Sequence, residues 1–369
     1  MMSEINTKSK ISLFIGDLSI GGAERVAVNL ANQLAVNGHQ VEIVLVERQG
    51  ELVSAVSDNV NIFELDTKRM RWAVIPLTRY LRESKPEVVI PLLTPANVIM
   101  ILAAKISRTA PQVIVTEHGQ KMESSSLSMK RDTILAKYLY KYADNIVGVS
   151  NGVSENVRSW ANIDPDSVTT IYNPVIDEEM ISRKPPAPPH PWFQQNDIKV
   201  ILTAGRHVKQ KDHSTLIRSF TRLLKDRKDV RLVLLGEGEL TPEYEQLAKE
   251  LGSHEKILLP GFVEDPFQYM SHADVFVLSS RWEGLSLVLI EAMASGTQVV
   301  STDCPSGPSE VLMNGEYGNL VPVGDPEAMK NALIDIFENP FPEERLRDRA
   351  RDFSIEKSTN QYENLFNLD

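Results

Sequence analysis

The sequence predicts an α/β protein of two doubly wound domains, each built on a parallel sheet. Short apolar segments bounded by glycine, proline or polar residues alternate with longer segments in which apolar residues recur at helical spacing. Buried parallel strands and amphipathic helices produce this alternation. It runs through the chain twice, and residues 183–192, which hold five prolines, separate the two runs. Such a proline content excludes a regular helix and indicates a stiff connector.

In the first half, apolar runs predict strands at 11–16, 41–46, 88–93, 112–117 and 145–150. Apolar residues spaced four apart from Ala23 to about Val36 predict the first helix. After the third run, a helix capped by Thr94, with Pro95 at its first position, explains the apolar stretch better than a transmembrane segment does.

In the second half, strands are predicted at 199–205, 231–238, 256–261, 274–280 and 297–303. Helices are predicted at 214–225, 242–251 and 287–294, and a charged helical pattern begins at Glu343. Ser286 would cap the third of these helices, and Gly296 would end it. The predicted domains are residues 1–175 and 196–345, with a proline-rich linker at 176–195.

Charge and cysteine content narrow the class of protein. Residues 1–175 hold 18 of the 39 Lys and Arg residues and 18 of the 50 Asp and Glu residues. Residues 176–369 therefore hold 21 basic and 32 acidic residues. An acidic second half argues against a nucleic-acid-binding protein. The single cysteine, Cys304, fits a reducing compartment, and no segment has the pattern of a signal peptide. We therefore expect a cytoplasmic protein.

Ligands of doubly wound domains bind where strands end, so the residues after each strand are the candidate site residues. Gly21 and Gly22 precede the first helix, where a bare backbone and helix amides favour an anion. His118 follows the strand at 112–117. Each feature also fits an ordinary turn or a structural histidine.

The second half supplies charged candidates. Arg206 and Lys211 follow the strand at 199–205, and both side chains suit phosphate oxygens. Gly236 and Val263 lie in glycine-bearing loops that could line the flat pocket of a base, although turn chemistry explains these loops equally well.

Two glutamates, Glu283 and Glu291, flank the start of the helix at 287–294. Carboxylates bind the vicinal hydroxyls of a sugar or a ribose, and the backbone amides between the two glutamates could bind an anion. These amides belong to Gly284, Leu285, Ser286 and Leu287.

The segment 280–312, SRWEGLSLVLIEAMASGTQVVSTDCPSGPSEVL, resembles the signature of the family-4 retaining glycosyltransferases. The two glutamates with seven residues between them are its most specific feature. GGAER at 21–25, TEHG at 116–119, IYNPV at 171–175, GRHVKQKD at 205–212 and LLGEGEL at 234–240 also resemble that family, in the same order.

The resemblance implies the GT-B fold, with two Rossmann-like domains facing across a cleft. It implies a donor site mainly in the second domain and an acceptor site mainly in the first. A C-terminal helix, residues 346–369, would cross back to the first domain. The segment 303–312 is similar to that of members that use UDP-sugars with surface-glycan or polyprenyl-linked acceptors.

The resemblance also implies a role for each candidate. Arg206 and Lys211 would neutralise the donor diphosphate, Glu283 would bind the sugar, and Glu291 would bind the ribose. The remaining contacts would come from the backbone at 284–287, from Gly21 and Gly22 near the phosphate, from His118 near the sugar, and from Gly236 and Val263 near the base. The family's usual Glu-Phe-Gly is here Glu283-Gly284-Leu285, so the glycine is displaced by one position.

The implied reaction is transfer with retention, without a metal or another cofactor, in which the leaving diphosphate takes the acceptor proton. A double displacement through a covalent intermediate is the alternative mechanism. A sugar-nucleotide epimerase or hydrolase of the same fold and a non-catalytic nucleotide-sugar-binding module are the alternative functions.

Two basic amphipathic stretches, residues 66–85 and 129–144, could rest on an anionic membrane surface. Ordinary helices that pack their apolar face on the sheet would show the same pattern.

Overall fold

The computed structural model describes residues 8–119, 127–161, 163–183, 187 and 190–366. Within these residues the chain forms two compact units. The first unit falls within Met1–Pro174 and Ile355–Asp369, and the second within Val175–Ser354. The predicted domain boundaries stay a prediction. The described part of the proline-rich segment belongs to the second unit.

The first unit is built on a seven-stranded sheet in the order β3-β2-β1-β4-β5-β6-β7. All its paired strands are parallel. Its strands are β1 Lys10–Ile15, β2 Gln40–Leu45, β3 Val60–Glu64, β4 Val88–Pro91, β5 Gln112–Glu117, β6 Asn145–Gly148 and β7 Val168–Thr170. Its first helices are α1 Gly22–Val36, α2 Val74–Ser84, α3 Thr94–Ser107, α4 Leu127–Leu139 and α5 Asn151–Ala161.

The second unit repeats this plan with a six-stranded parallel sheet in the order β10-β9-β8-β11-β12-β13. Its strands are β8 Lys199–Ala204, β9 Val230–Leu235, β10 Ile257–Gly261, β11 Val275–Leu278, β12 Gln298–Thr302 and β13 Asn319–Val321. Its helices are α6 Glu178–Ser182, α7 His213–Asp226, α8 Thr241–Glu250, α9 Pro266–Met270, α10 Leu287–Ala294, α11 Pro308–Val311, α12 Pro326–Glu338 and α13 Glu343–Ala350.

The predicted fold class is confirmed, because both sheets reverse their strand order beside the first strand as doubly wound sheets do. Each predicted strand is present. The sequence analysis missed three strands, β3, β7 and β13. β3 and β7 are the two edge strands of the first sheet, and β13 is an edge strand of the second. Edge strands are buried on fewer sides and therefore carry a weaker apolar signal.

The prediction that Thr94 caps the third helix is wrong. The helix begins at Thr94, and the preceding residue, Leu93, takes the cap position with a positive φ of 77°. The hydroxyl of Thr94 instead donates to the buried carboxylate of Glu117 at 3.0 Å. A tertiary hydrogen bond has thus replaced the local one that the sequence suggested.

The last helix, α14 Ile355–Glu363, belongs to the first unit, as the resemblance implied. The carboxylate of Glu363 accepts hydrogen bonds from Asn37 at 3.0 Å and lies 2.9 Å from Nε2 of His39. Gln112 donates to the carbonyl of Leu365 at 2.6 Å. These contacts fasten the end of the chain to α1 and β5.

Candidate functional site

The carboxyl ends of β8 and β11 lie side by side where the strand order of the second sheet reverses. Such a switch point is where open α/β sheets bind ligands. Two loops begin here, at 205–212 after β8 and at 279–286 after β11. Half of the predicted donor-site residues lie in these two loops, and Leu287 and Glu291 lie in the helix that follows the second loop.

Lys211 and Glu283 form an ion pair between the two loops. The ammonium of Lys211 and the hydroxyl of Ser280 both donate to Oε1 of Glu283, each at 2.6 Å. The side chains of Lys211 and Glu283 are 16% and 8% exposed. Within the part of the chain that the structure describes, neither Oε2 of Glu283 nor the two other ammonium protons have a hydrogen-bond partner. The pair can therefore offer both an acceptor and donors to a ligand.

Three further hydrogen bonds join the loops around this pair. Ser279 donates to the carbonyl of Lys211 at 2.7 Å, the amide of Arg281 donates to the carbonyl of Gln210 at 2.8 Å, and Gln210 donates to the carbonyl of Trp282 at 2.9 Å. The sequence analysis did not name these residues, because serine and glutamine have no distinctive pattern. Their position directly after a strand is the one signal that could have found them.

Arg206 lies on the exposed side of the first loop. Its guanidinium makes no hydrogen bond or ion pair with the residues that the structure describes, so it is available to an anion.

Gly236 joins the loops that follow β8, β9 and β10. Its φ is +107°, and a Cβ added here would lie 2.2 Å from the carbonyl oxygen of Gly205, so only glycine fits. Its amide donates to the carbonyl of Gly261 at 2.8 Å. Val263 lies two residues after Gly261 and is half-buried.

Two histidines are buried here: His207, in the loop that carries Arg206 and Lys211, and His213, the first residue of α7. Their rings meet edge to face at 5.3 Å, and both also contact the ring of Tyr244. Burial lowers the pKa of His213 to about 3 and also lowers the pKa of His207. Both are therefore neutral near pH 7, and the positive charge of the loop comes from its arginine and lysines.

The start of α10 differs from the prediction in one respect. Ser286 occupies the cap position, but its side chain forms no cap hydrogen bond, so the prediction of a serine cap is wrong. The hydroxyl is buried and has no hydrogen-bond partner among the described residues. The first amides of α10 are thus left without a side-chain cap, the state in which a helix N-terminus can bind an anion. Leu287 begins the helix, and Glu291, which is 1% exposed, lies one turn farther in.

Gly284 packs against the segment that follows β12. The hydroxyl of Ser306 donates to its carbonyl at 2.9 Å. A Cβ added at Gly307, whose φ is +91°, would lie 3.1 Å from the same oxygen. Gly284, the glycine displaced from the family's usual position, is therefore held by a hydrogen bond from Ser306. The neighbouring Leu285 is buried.

In the first unit, Gly21 is the cap residue of α1, and Gly22 is its first residue. The backbone of Gly21 is extended, and a glycine has no side chain that could cap the helix. A Cβ added at Gly21 would lie 2.1 Å from Oε2 of Glu24, the far end of a flexible side chain. Folding therefore does not require glycine at this position.

His118 is half-buried at the end of β5, and burial lowers its pKa to about 4. Beside it lies a buried carboxylate, Glu117, which the sequence analysis did not single out. Glu117 is 1% exposed and accepts hydrogen bonds from Thr94, Asn97 and Tyr140. The sequence gives no signal for this environment, because the partners of Glu117 come from α3 and from the segment after α4.

Known proteins resemble the chain along nearly its whole length. Residues 20–179 match the family profile described as Glycosyltransferase Family 4, and residues 190–353 match the profile described as Glycosyl transferases group 1. One relative is the N-acetylgalactosamine-N,N'-diacetylbacillosaminyl-diphospho-undecaprenol 4-alpha-N-acetylgalactosaminyltransferase of Campylobacter jejuni. It is 30% identical over 358 residues, which cover 93% of this chain and 94% of the relative. This chain belongs to glycosyltransferase family 4.

A second relative of this glycosyltransferase is the lipopolysaccharide core biosynthesis glycosyltransferase LpsE of Rhizobium meliloti. It is 30% identical over 356 residues, with 93% of this chain and 94% of the relative covered. Among solved structures, Anabaena HepE in complex with UDP aligns with a TM-score of 0.81 at 19% identity, covering 97% of this chain and 100% of HepE. The resemblance to family 4 and the expected fold are thereby confirmed.

The glycosyltransferase has no group of three or more His, Cys, Asp or Glu among its described residues that could hold a metal ion. Among the same residues, no helix has both the length and the apolar character needed to cross a membrane.

Proposed function

We propose that this glycosyltransferase moves a hexose or N-acetylhexosamine from a UDP-sugar to a glycan or lipid-linked acceptor, with retention at the anomeric carbon. The ion pair of Lys211 and Glu283 at the switch point of the second sheet carries this proposal. In this pair an ammonium group, which suits a diphosphate, lies beside a carboxylate, which suits sugar hydroxyls, and this supports the proposal. The C. jejuni relative, whose name specifies an undecaprenol-linked acceptor, and HepE, solved with UDP, support the choice of substrates.

Each site residue receives a role under this proposal. Lys211 and Arg206 neutralise the diphosphate, together with the uncapped amides of α10. Glu283 accepts sugar hydroxyls, and Glu291 accepts those of the ribose. The other donor contacts come from the backbone of 284–287, from Gly236 and Val263 at the base, and from Gly21, Gly22 and His118 in the first unit.

The residues of the chain supply electrostatic stabilisation in this reaction. As the bond from the anomeric carbon to the diphosphate breaks, negative charge grows on the diphosphate, where Lys211 and Arg206 stabilise it. The leaving phosphate oxygen takes the proton of the acceptor hydroxyl, which attacks from the same face. No residue of the chain forms a covalent bond to the sugar, and neither a metal nor another cofactor takes part.

We further propose that the enzyme works on the cytoplasmic face of a membrane. Exposed apolar side chains on α4 and just before α2, such as Ile134, Tyr138 and Trp72, stand among exposed lysines and arginines. This combination suits a surface that contains anionic lipid.

A panel of UDP- and GDP-sugars tests the donor assignment. We expect one UDP-sugar to raise the melting temperature, because a ligand that binds only the folded state stabilises it. The same UDP-sugar should support transfer to a polyprenyl-diphosphate-linked glycan, and transfer should persist in excess EDTA. The absence of a thermal shift with every member of the panel, or a loss of transfer in EDTA, would contradict the proposal.

Release of free sugar or of an epimerised nucleotide sugar without a transfer product would favour the hydrolase or epimerase alternative.

A further inference from the structure

A short chain of hydrogen bonds in the first unit ends at His118. The hydroxyl oxygen of Thr116, a residue with 0% exposure on β5, lies 2.9 Å from the carbonyl oxygen of Pro91 and 3.0 Å from Nε2 of His118. A carbonyl oxygen can only accept, so the hydroxyl gives its single proton to Pro91. The hydroxyl oxygen then accepts from the imidazole, and Nε2 of His118 carries the proton.

The protonation state of His118 fixes the role of its other nitrogen. Because burial lowers its pKa to about 4, the ring is neutral near pH 7 and carries one N–H group. With the proton on Nε2, the nitrogen Nδ1 presents a lone pair. Within the part of the chain that the structure describes, no residue forms a hydrogen bond to Nδ1.

We propose that Thr116 is a positioning residue that holds His118 in the Nε2–H tautomer, so that Nδ1 accepts a hydrogen bond from a hydroxyl of the transferred sugar. The choice of ligand rests on the proposed function, whereas the tautomer does not. A neutral acceptor nitrogen discriminates between the two parts of the donor. It binds a sugar hydroxyl, which can donate, and it gains nothing from a diphosphate oxygen, which can only accept.

The surroundings of Thr116 keep this geometry from relaxing. Its backbone carbonyl accepts a hydrogen bond from Asn97 at 2.8 Å, and Asn97 also donates to the hydroxyl of Tyr140 at 2.8 Å. The next residue, Glu117, is held through its carboxylate by Thr94 and Tyr140. The end of β5 is therefore held at Thr116 and at Glu117, the residue before His118.

Nitrogen NMR of the full-length protein labelled with ¹⁵N-histidine reads the tautomer directly. The chain has seven histidines, and the signals that vanish in His118→Gln identify those of His118. We expect the wild-type spectrum at pH 7 to show a protonated Nε2 and an unprotonated Nδ1. A protonated Nδ1 would overturn the proposal, whatever the variants do.

Variants of Thr116 test its positioning role. In Thr116→Val, which removes the hydroxyl but keeps the shape, both ring nitrogens should move toward the average of the two tautomers. Thr116→Ser should restore the wild-type pattern. Thr78→Val is the matched control, because it removes another buried hydroxyl of the first unit, one that donates to the carbonyl of Val74 in α2. An unchanged His118 spectrum in Thr116→Val would refute the positioning role.

Kinetics separate this proposal from the proposed function. With the donor sugar found by the panel, Thr116→Val should raise the donor KM by up to about twofold, because about half of the His118 rings would then carry the proton on Nδ1 and could not accept from the sugar. The affinity for UDP alone should stay unchanged. Thr116→Ser should be close to wild type. A changed tautomer with an unchanged KM would refute the contact with the sugar. A wild-type Nε2–H tautomer without transfer from any nucleotide sugar would refute the proposed function and leave the role of Thr116 standing.

Discussion

At the residue scale, the ion pair of Lys211 and Glu283 should matter for stability as well as for its proposed role in transfer. Two charges that are mostly removed from water stabilise each other only while both are present, since loss of one leaves the other buried without a counter-charge. Ser280 adds a hydrogen bond to the same carboxylate oxygen. We infer that the second unit holds this pair ready for the donor even when no donor is bound.

Replacing Lys211 with alanine should therefore have two effects. Transfer should fall about a hundredfold or more, because a cation that faces the developing charge is lost. The free energy of unfolding should fall by up to roughly 3 kcal/mol, because Glu283 loses its partner. Steady-state kinetics and denaturant unfolding measure the two effects.

Lys209→Ala is the matched control, because this lysine is exposed and lies two residues away. It should change neither quantity appreciably. In the double variant Lys211→Ala with Glu283→Gln, stability should partly recover while transfer stays low. Near-normal transfer by Lys211→Ala would refute the assignment to the diphosphate.

At the scale of elements, helix N-termini provide the backbone groups of the proposed site. The cap residues of α1 and α10, Gly21 and Ser286, form no side-chain cap hydrogen bond. The far end of α10 is held by Arg347 of α13, which donates to the carbonyl of Ser295 at 3.2 Å. The described structure thus satisfies the C-terminal end of α10 and leaves its N-terminal amides for a ligand.

The substitution Gly21→Ala distinguishes a role in binding from a role in folding. The backbone of Gly21 is extended and the added Cβ meets only the movable end of Glu24, so the melting temperature should change little. Transfer should fall, with a higher donor KM, if the donor phosphate approaches this backbone. Gly236→Ala is the contrasting variant and should unfold readily, since its Cβ would overlap backbone. Unchanged kinetics in Gly21→Ala would contradict the phosphate contact.

The exposed face of α4 carries the prediction about the membrane. Replacing Ile134 and Tyr138, which are 58% and 65% exposed, with aspartate should abolish flotation with anionic vesicles without lowering the melting temperature. Val36→Asp is the control, because Val36 is 74% exposed on another helix, α1. Wild-type protein that fails to float with anionic vesicles would refute the membrane contact.

At the scale of the whole molecule, two histidines that are neutral in the folded protein, the buried His213 and the half-buried His118, limit stability in acid. The pKa of His118 is lowered to about 4 and that of His213 to about 3, from an ordinary value of 6.5. Between these values and 6.5, the unfolded chain binds protons that the folded chain does not. Stability is therefore complete above pH 6.5 and falls as the pH decreases toward 3.

Each of these histidines should contribute a slope of up to about 1.4 kcal/mol per pH unit within its window. Denaturant unfolding between pH 4 and pH 7 measures this slope. His213→Gln should reduce it, whereas substitution of the exposed His254 should leave it unchanged. An equal slope in wild type and His213→Gln would show that His213 is not buried in its neutral form.

Much of the fold could be predicted from local pattern. A strand such as β5, with five consecutive buried residues, stands out because both faces of a parallel sheet exclude polar residues. The short β7 and β13 lack that signal. The cap at Thr94 was wrong because a hydrogen bond to a residue far along the chain, Glu117, decides what its hydroxyl binds. The cap at Ser286 was wrong because residue type alone does not decide whether a hydroxyl reaches the helix amides.

The sequence by itself determined the two doubly wound units, the family and the strand ends where ligands bind, since burial and backbone conformation leave periodic and local marks. Only the tertiary structure decided which polar atoms meet. It paired Lys211 with Glu283 across 72 positions, enclosed Glu117 among donors from α3 and the segment after α4, and set Thr116 between Pro91 and His118. Hydrogen bonds and ion pairs act over a few ångströms in space, and residue spacing along the chain does not encode those distances.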